Sequence, residues 1–152
     1  MIIKEADISH IEEMHVLRMS VKENQLSNPN LISEEDYINF IDKKGKTWIT
    51  EEHHKILGFA TIDLENKNIW ALFVHPEFEK KGIGKKLHQT MIDWYFKENN
   101  EKLWLSTAQN TRAEKFYEFL GWKKVGILDN NEIKFELTQQ DWKNNNYGTE
   151  FR

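Results

Sequence analysis

Ile69-Trp70-Ala71-Leu72-Phe73-Val74 is the longest uninterrupted apolar run in the chain, and it stops at His75-Pro76. Apolar residues without alternation predict a strand covered on both faces, near the middle of a sheet. Pro76 cannot donate to a ladder and biases His75 toward an extended backbone, so the strand ends there. Lys80-Lys81-Gly82-Ile83-Gly84-Lys85-Lys86 follows, and from Ile83 the residues Leu87, Met91 and Trp94 recur at helical spacing. The order is strand, basic glycine turn, helix. Glycines at a helix start let an anion approach the backbone, where the first N–H groups lack internal partners and the macrodipole is positive. The other reading of the same residues is a surface turn that needs positive φ, with lysines for solubility. Two common nucleotide loops are excluded. Leu87 stands where the dinucleotide fingerprint needs its third glycine, and no glycine lies five residues before Gly84.

At 152 residues, 39% hydrophobic and 12% aromatic, the chain predicts a single packed domain. No apolar stretch approaches the ~18 residues of a membrane span. The opening Met1-Ile2-Ile3-Lys4-Glu5 has too short an apolar segment for a secretory signal. Without cysteine there is no disulfide, thiolate metal site or cysteine nucleophile. A cytoplasmic location is the expectation. The formal charge of −4 argues against general nucleic-acid binding, despite the local lysine cluster.

In chain order, Ile2–Ala6 reads as a strand. Ser9 to Glu12 has capping-box spacing, ahead of a helical stripe of Ile8, Ile11, Met14, Leu17 and Val21. Residues 23–31 form a loop, and Ser33 opens a second helix whose apolar face is Tyr37, Ile38, Phe40 and Ile41. Thr47–Thr50 and Ile56–Ile62 read as an antiparallel hairpin turning at His53-His54. Adjacent histidines on a strand would face opposite ways, so no metal site is expected there. Lys102–Ser106 is a further strand. Thr111 to Glu114 is a second capping box, Ala113, Phe116, Tyr117 and Leu120 share a helix face, and Gly121 ends that helix. A closing strand pair spans Trp122–Ile127 and Ile133–Leu137. The polar stretch 144–152 reads as a frayed tail, and most of the six tryptophans read as core.

Val74-His75-Pro76, Gly82-Ile83-Gly84 and the later set Asn110, Ala113, Phe116, Tyr117, Gly121 and Trp122 together resemble the GNAT superfamily of acyl-CoA N-acyltransferases. One position departs from the family pattern. Glu79 stands three residues before the first glycine, where Gln or Arg is usual, and its side chain is expected to point outward. The resemblance covers nearly the whole chain. It implies an α/β (α+β) fold with a mixed, mostly antiparallel sheet of about six or seven strands flanked by about four helices.

It also implies acetyl-CoA as cosubstrate, with its pyrophosphate on the N–H groups of Lys81 to Lys86 and beside Lys80. The pantetheine would run along Leu72, Phe73 and Val74 like an added strand. A backbone N–H near Phe73 or Val74 would polarise the thioester carbonyl. Asn110 would bond the pantetheine arm or the helix start, and Ala113 and Phe116 belong to the same cofactor-binding motif. Tyr117 is the candidate general acid, since a phenol of pKa ~10 can hydrogen-bond or protonate a departing thiolate. Candidate bases are Glu23, Glu132, His75 or ordered water. Glu23 ranks first, because the loop between the two N-terminal helices usually lines the acceptor site in this family. Trp70 is a candidate floor for that acceptor pocket. The implied reaction is direct acetyl transfer to a small-molecule or peptide amine in a ternary complex. A non-catalytic acyl-CoA sensor of the same fold is the alternative. A homodimer is expected because family members often form one.

Overall fold

The structure, a computed structural model, describes residues 1–21 and 32–150, the last five of these in backbone only. Seven strands and five α-helices are described, an α/β architecture. The chain divides into two compact units, Met1–Met91 and Ile92–Arg152. No helix among the described residues is long and apolar enough to cross a membrane.

The first unit holds β1 (Ile2–Glu5), α1 (Ile11–Ser20), α2 (Glu34–Ile38), β2 (Gly45–Glu52), β3 (Lys55–Asp63), β4 (Asn68–Val74) and the start of α3 (Ile83–Glu98). Its four strands pair antiparallel in chain order. The turn between β2 and β3 is the two-residue His53-His54, with φ of 51° and 62°. Two left-handed residues in succession match the right-handed twist of the flanking strands, which is why so short a loop can close the hairpin. At the other end of that ladder Gly45 lies so close to β3 that a Cβ would sit 2.0 Å from the Ile62 carbonyl oxygen.

The strand buried on both faces is β3 and not β4. Every residue from Ile56 to Asp63 is buried, whereas in β4 Ile69, Ala71 and Phe73 are buried and Trp70, Leu72 and Val74 are half-buried. A bulge contributes to the difference. Thr61 pairs with Ala71 and Ile62 with Ile69, leaving Trp70 as the extra residue that opposes nothing on β3. Hence an unbroken apolar run does not here mean an evenly covered strand. The core beneath is Ile11, Met14, Leu17, Tyr37, Ile49, Ile56, Phe59, Ala71 and Phe73. Glu13 ties α1 to this sheet, its carboxylate accepting from the Ile56 N–H at 2.7 Å.

Three local expectations are corrected in this unit. Ser9 does not cap α1. Asp7 accepts from the Ser9 N–H and caps a short 3-10 turn at Ile8–His10, with His10 reaching back to the Asp7 N–H. Ile8 is exposed, outside the stripe. In α3 the buried stripe runs Ile83, Leu87, Met91, Tyr95, with Ile92 and Phe96 beside it, and Trp94 is 37% exposed. A step of four from Met91 keeps the face better than the step of three that Trp94 would need. By contrast Ser33 caps α2 as expected, in a reciprocal box with Asp36.

The second unit holds the end of α3, β5 (Leu103–Thr107), α4 (Arg112–Phe119), β6 (Lys123–Ile127), β7 (Ile133–Leu137) and α5 (Gln139–Glu150). β7 pairs antiparallel with both β5 and β6. Leu103, Leu105, Ile133, Phe135 and Leu137 form the buried sheet face, while β6 is exposed along its length. The polar stretch from 144 is helical to Glu150 instead of frayed. Its helix is latched to α3 by Trp142 Nε1 donating to Asp93 at 2.8 Å and by Gln139 donating to the Phe96 carbonyl at 2.8 Å. Of the six tryptophans only Trp48 and Trp122 are fully buried.

Candidate cosubstrate and acceptor site

β4 ends as the sequence predicts. The His75 N–H donates to the Leu57 carbonyl at 2.8 Å, and Pro76–Phe78 form a 3-10 turn whose N-cap is His75. His75 Nδ1 accepts from the Glu77 N–H at 3.1 Å, so one ring nitrogen of this candidate base is already spent on the turn. Phe78 then carries two cations over its ring, Lys55 Nζ at 5.3 Å and Lys81 Nζ at 5.5 Å. A ring quadrupole attracts cations in this position, which concentrates positive charge on the approach to α3.

The turn itself needs its glycine. Gly82 has φ +82°, and nothing lies within 4 Å of where its Cβ would be. Its carbonyl accepts from the Lys86 N–H at 3.1 Å, the first bond of α3. By helix geometry the N–H groups ahead of that bond, at Ile83 and Gly84, have no intrahelical acceptor. The first turn contains no acidic residue. Lys80, Lys81, Lys85 and Lys86 are exposed, and Lys80 also takes a left-handed φ of 64°. The expected anion contact therefore narrows at one place, since the Lys86 N–H belongs to the helix. Glu79 is half-buried, which does not match a side chain turned fully out to solvent. An open, basic helix start of this kind fits a diphosphate group.

Asn110 explains itself through its backbone. Its φ of 61° is left-handed, a conformation Asn tolerates better than most residues. Its N–H donates to Glu114 Oε1 at 2.7 Å. Thr111 caps α4 by accepting from the Glu114 N–H at 3.3 Å. Glu114 thus closes one residue earlier than a standard capping box requires. Lys124 and the Asn110 N–H hold the Glu114 carboxyl below its ordinary pKa. Ala113 and Phe116 are half-buried on the same helix.

Tyr117 is 7% exposed, set among Phe116, Trp122 and Phe135 at ring separations of 5.2, 5.8 and 6.2 Å. Burial raises its pKa. A raised value keeps the phenol protonated and ready to donate, yet makes full proton transfer to a thiolate less favourable than from an exposed tyrosine. Elsewhere in this unit Glu132 Oε1 accepts from Ser106 Oγ at 2.6 Å. Glu23, the first-ranked base, lies outside the described residues. Among the described residues no group of three or more His, Asp or Glu side chains is placed to hold a metal ion.

Trp70 packs edge-on to Tyr37 at 5.4 Å and against Phe40 at 4.6 Å. It also meets a residue the sequence reading passed over. Arg18 of α1 is only 9% exposed, and its guanidinium carbon lies 4.9 Å from the Trp70 ring centre and 4.7 Å from that of Phe73. Tyr37 faces the same group, and its hydroxyl is 2.8 Å from His15 Nδ1. A signal was available. Arg18 falls seven residues after Ile11 and four after Met14, on the buried stripe of α1.

Comparison with known proteins agrees with these elements. Residues 11–122 match the family model for the acetyltransferase (GNAT) family. A peptidyl-lysine N-acetyltransferase of Escherichia coli (strain K12) is 32% identical over 98 residues, 64% of this chain and 63% of that protein. The match thus spans under two thirds of that relative's length. A glucosamine 6-phosphate N-acetyltransferase of Schizosaccharomyces pombe is 33% identical over 85 residues, 50% of this chain and 75% of the relative. Among solved structures, an N-acetyltransferase from Thermoplasma acidophilum in complex with coenzyme A superposes with TM-score 0.75 at 17% identity, covering 90% of this chain and 98% of that one. At that identity the likeness concerns the fold. With the basic Gly82 corner and the Asn110–Trp122 motif in place, the chain belongs to the acetyltransferase (GNAT) family.

Proposed function

We propose that the protein transfers an acetyl group from acetyl-CoA to a primary amine by direct attack in a ternary complex. The observation that carries this reading is the start of α3, where positive-φ Gly82, with nothing within 4 Å of its Cβ position, stands beside the N–H groups of Ile83 and Gly84 and four exposed lysines. Bound there, acetyl-CoA supplies an activated thioester. Lys80, Lys81, Lys85 and Lys86 neutralise its diphosphate, and Leu72, Phe73 and Val74 offer backbone groups to the pantetheine. A main-chain N–H at Phe73 or Val74 stabilises negative charge developing on the carbonyl oxygen. Tyr117 donates a hydrogen bond to the departing sulfur, with Asn110 just before α4 and Ala113 and Phe116 on it as further cofactor contacts. An alkyl ammonium of pKa ~10.4 is almost wholly protonated at neutral pH, so the amine must lose a proton before attack.

The relatives support an amine acceptor without fixing its size. One is named for a peptidyl lysine and another for glucosamine 6-phosphate, both amines. The test is thiol release from acetyl-CoA across an amine panel. Release that depends on amine, with a stoichiometric acetylated product, is expected. Tight acetyl-CoA binding without amine-dependent release would instead identify a sensor module.

A further inference from the structure

We propose that Arg18 selects acceptor amines that carry a carboxylate. The inference rests on the acetyl-transfer reading, which puts the reacting thioester beside Phe73, and it names the class of acceptor. The Arg18 side chain is 91% removed from solvent by its 9% exposure, yet Nε and Nη1 have no hydrogen-bond partner among the described residues. Those two nitrogens carry three N–H bonds. Its guanidinium carbon lies over the rings of Trp70 and Phe73, which accept no conventional hydrogen bond. Tyr37 hydrogen-bonds the guanidinium, but it is a neutral phenol whose pKa burial raises further, so it supplies no counter-charge.

A desolvated guanidinium without an anion is an expensive thing to keep, and a carboxylate or phosphate is the group that relieves it. The guanidinium fork matches carboxylate and phosphate alike, and the apolar Trp70 and Phe73 rings beside it suit a carboxylate on an apolar body. Arg18 would therefore fix the far end of the acceptor, leaving its amine to reach the thioester. This is a positioning and specificity role, with no proton transfer assigned to it.

The experiment uses the full chain, saturating acetyl-CoA, amines on one skeleton (L-phenylalanine, L-phenylalaninamide and phenethylamine) and O-phosphoethanolamine. Thiol release is measured for the parent, Arg18→Gln and Arg18→Lys. In parallel, 3-phenylpropionate, a carboxylate without an amine, is titrated calorimetrically into each protein. The preference for L-phenylalanine over phenethylamine in kcat/KM should collapse by about 30-fold in Arg18→Gln, chiefly through KM, with Arg18→Lys intermediate. The parent should bind 3-phenylpropionate and Arg18→Gln should not.

An unchanged preference ratio in Arg18→Gln would overturn the proposal, since a packing role would weaken all three amines alike. So would a parent that fails to bind 3-phenylpropionate, and that arm decides alone if Arg18→Gln does not fold. O-phosphoethanolamine preferred over L-phenylalanine would overturn the carboxylate in favour of phosphate. Binding of 3-phenylpropionate with no thiol release from any amine would sink the acetyl-transfer reading and leave the oxyanion site standing. Thiol release from neutral amines without that binding would do the reverse.

Discussion

The starts of α3 and α4 solve the same problem in opposite ways. Each helix begins with N–H groups that its own backbone cannot satisfy. At α4 the chain answers with its own oxygen atoms, Thr111 Oγ1 to the Glu114 N–H and Glu114 Oε1 to the Asn110 N–H. Lys124 then braces Glu114 and Glu118 at 2.8 Å each. At α3 the residue in the capping position is Gly82, which has no side chain, and the first turn holds no acid. A closed start stabilises the fold, and on the proposed reading the open one holds the diphosphate. The presence of lysines does not separate the two, since both have one nearby. What separates them is that a first-turn carboxylate closes the start of α4, whereas the first turn of α3 holds none.

Installing an internal acid at the open start should break the contrast most severely. Gly82→Asp keeps a residue that tolerates left-handed φ and gives α3 a cap of its own. The KM for acetyl-CoA should rise by roughly 30-fold or more as the new carboxylate competes with diphosphate and repels it. Steady-state kinetics at fixed amine would show this, and an unmoved KM would mean that the corner does not hold the diphosphate. Next in size, Tyr117→Phe should cut kcat about tenfold with little change in acetyl-CoA affinity, because one hydrogen bond to the developing thiolate is lost. Measuring kcat and a CoA dissociation constant on the same preparation separates that loss from a packing defect.

Smaller effects come from opening the closed start. Thr111→Ala removes a side-chain cap and should cost about 1 kcal/mol of stability, read from urea unfolding. A cost near zero would imply that Glu114 holds the turn without it. Glu114→Gln tests the acid itself. The folded-state pKa of Glu114 is lowered from 4.5, by Lys124 first and the Asn110 N–H second. Its stabilising contribution is therefore fully present above the ordinary value and fades as pH falls through the lowered one. The Tm gap between parent and Glu114→Gln should be widest near neutrality and close in acid. A pH-independent gap would assign the effect to shape instead of charge.

The elements that were legible in the sequence are those set by short-range chemistry. Ser33 with Asp36, Gly121 after Leu120 and the two residues between β2 and β3 each act within a few positions, and each fell where expected. Misreadings arose where two local signals competed. Asp7 outcompeted Ser9 for the cap, and Tyr95 outcompeted Trp94 for the helix face. Helix α5 was hidden by its run of asparagines, which favour turns in isolation. Its helical state goes with side-chain hydrogen bonds to Asp93 and to the Phe96 carbonyl, more than forty residues earlier in the chain. The glycine corner was legible because its residue types are unusual together. Arg18 was legible only as a position on the α1 stripe, because a charged residue there is ordinarily taken as solvated, and the rings that enclose it come from positions 70 and 73.

The Glu13 carboxylate, gripping the Ile56 main chain, pins α1 to the strand beneath it. Residues 15 and 18 then ride on the same mount, two and five positions further along. Swapping either letter alters what that mount displays without shifting the mount, and without touching the lysine-rich bend at 80–86. On the proposed reading of Arg18, substrate taste and coenzyme grip are encoded in separate stretches, and a lineage changes its menu by editing one turn of one helix.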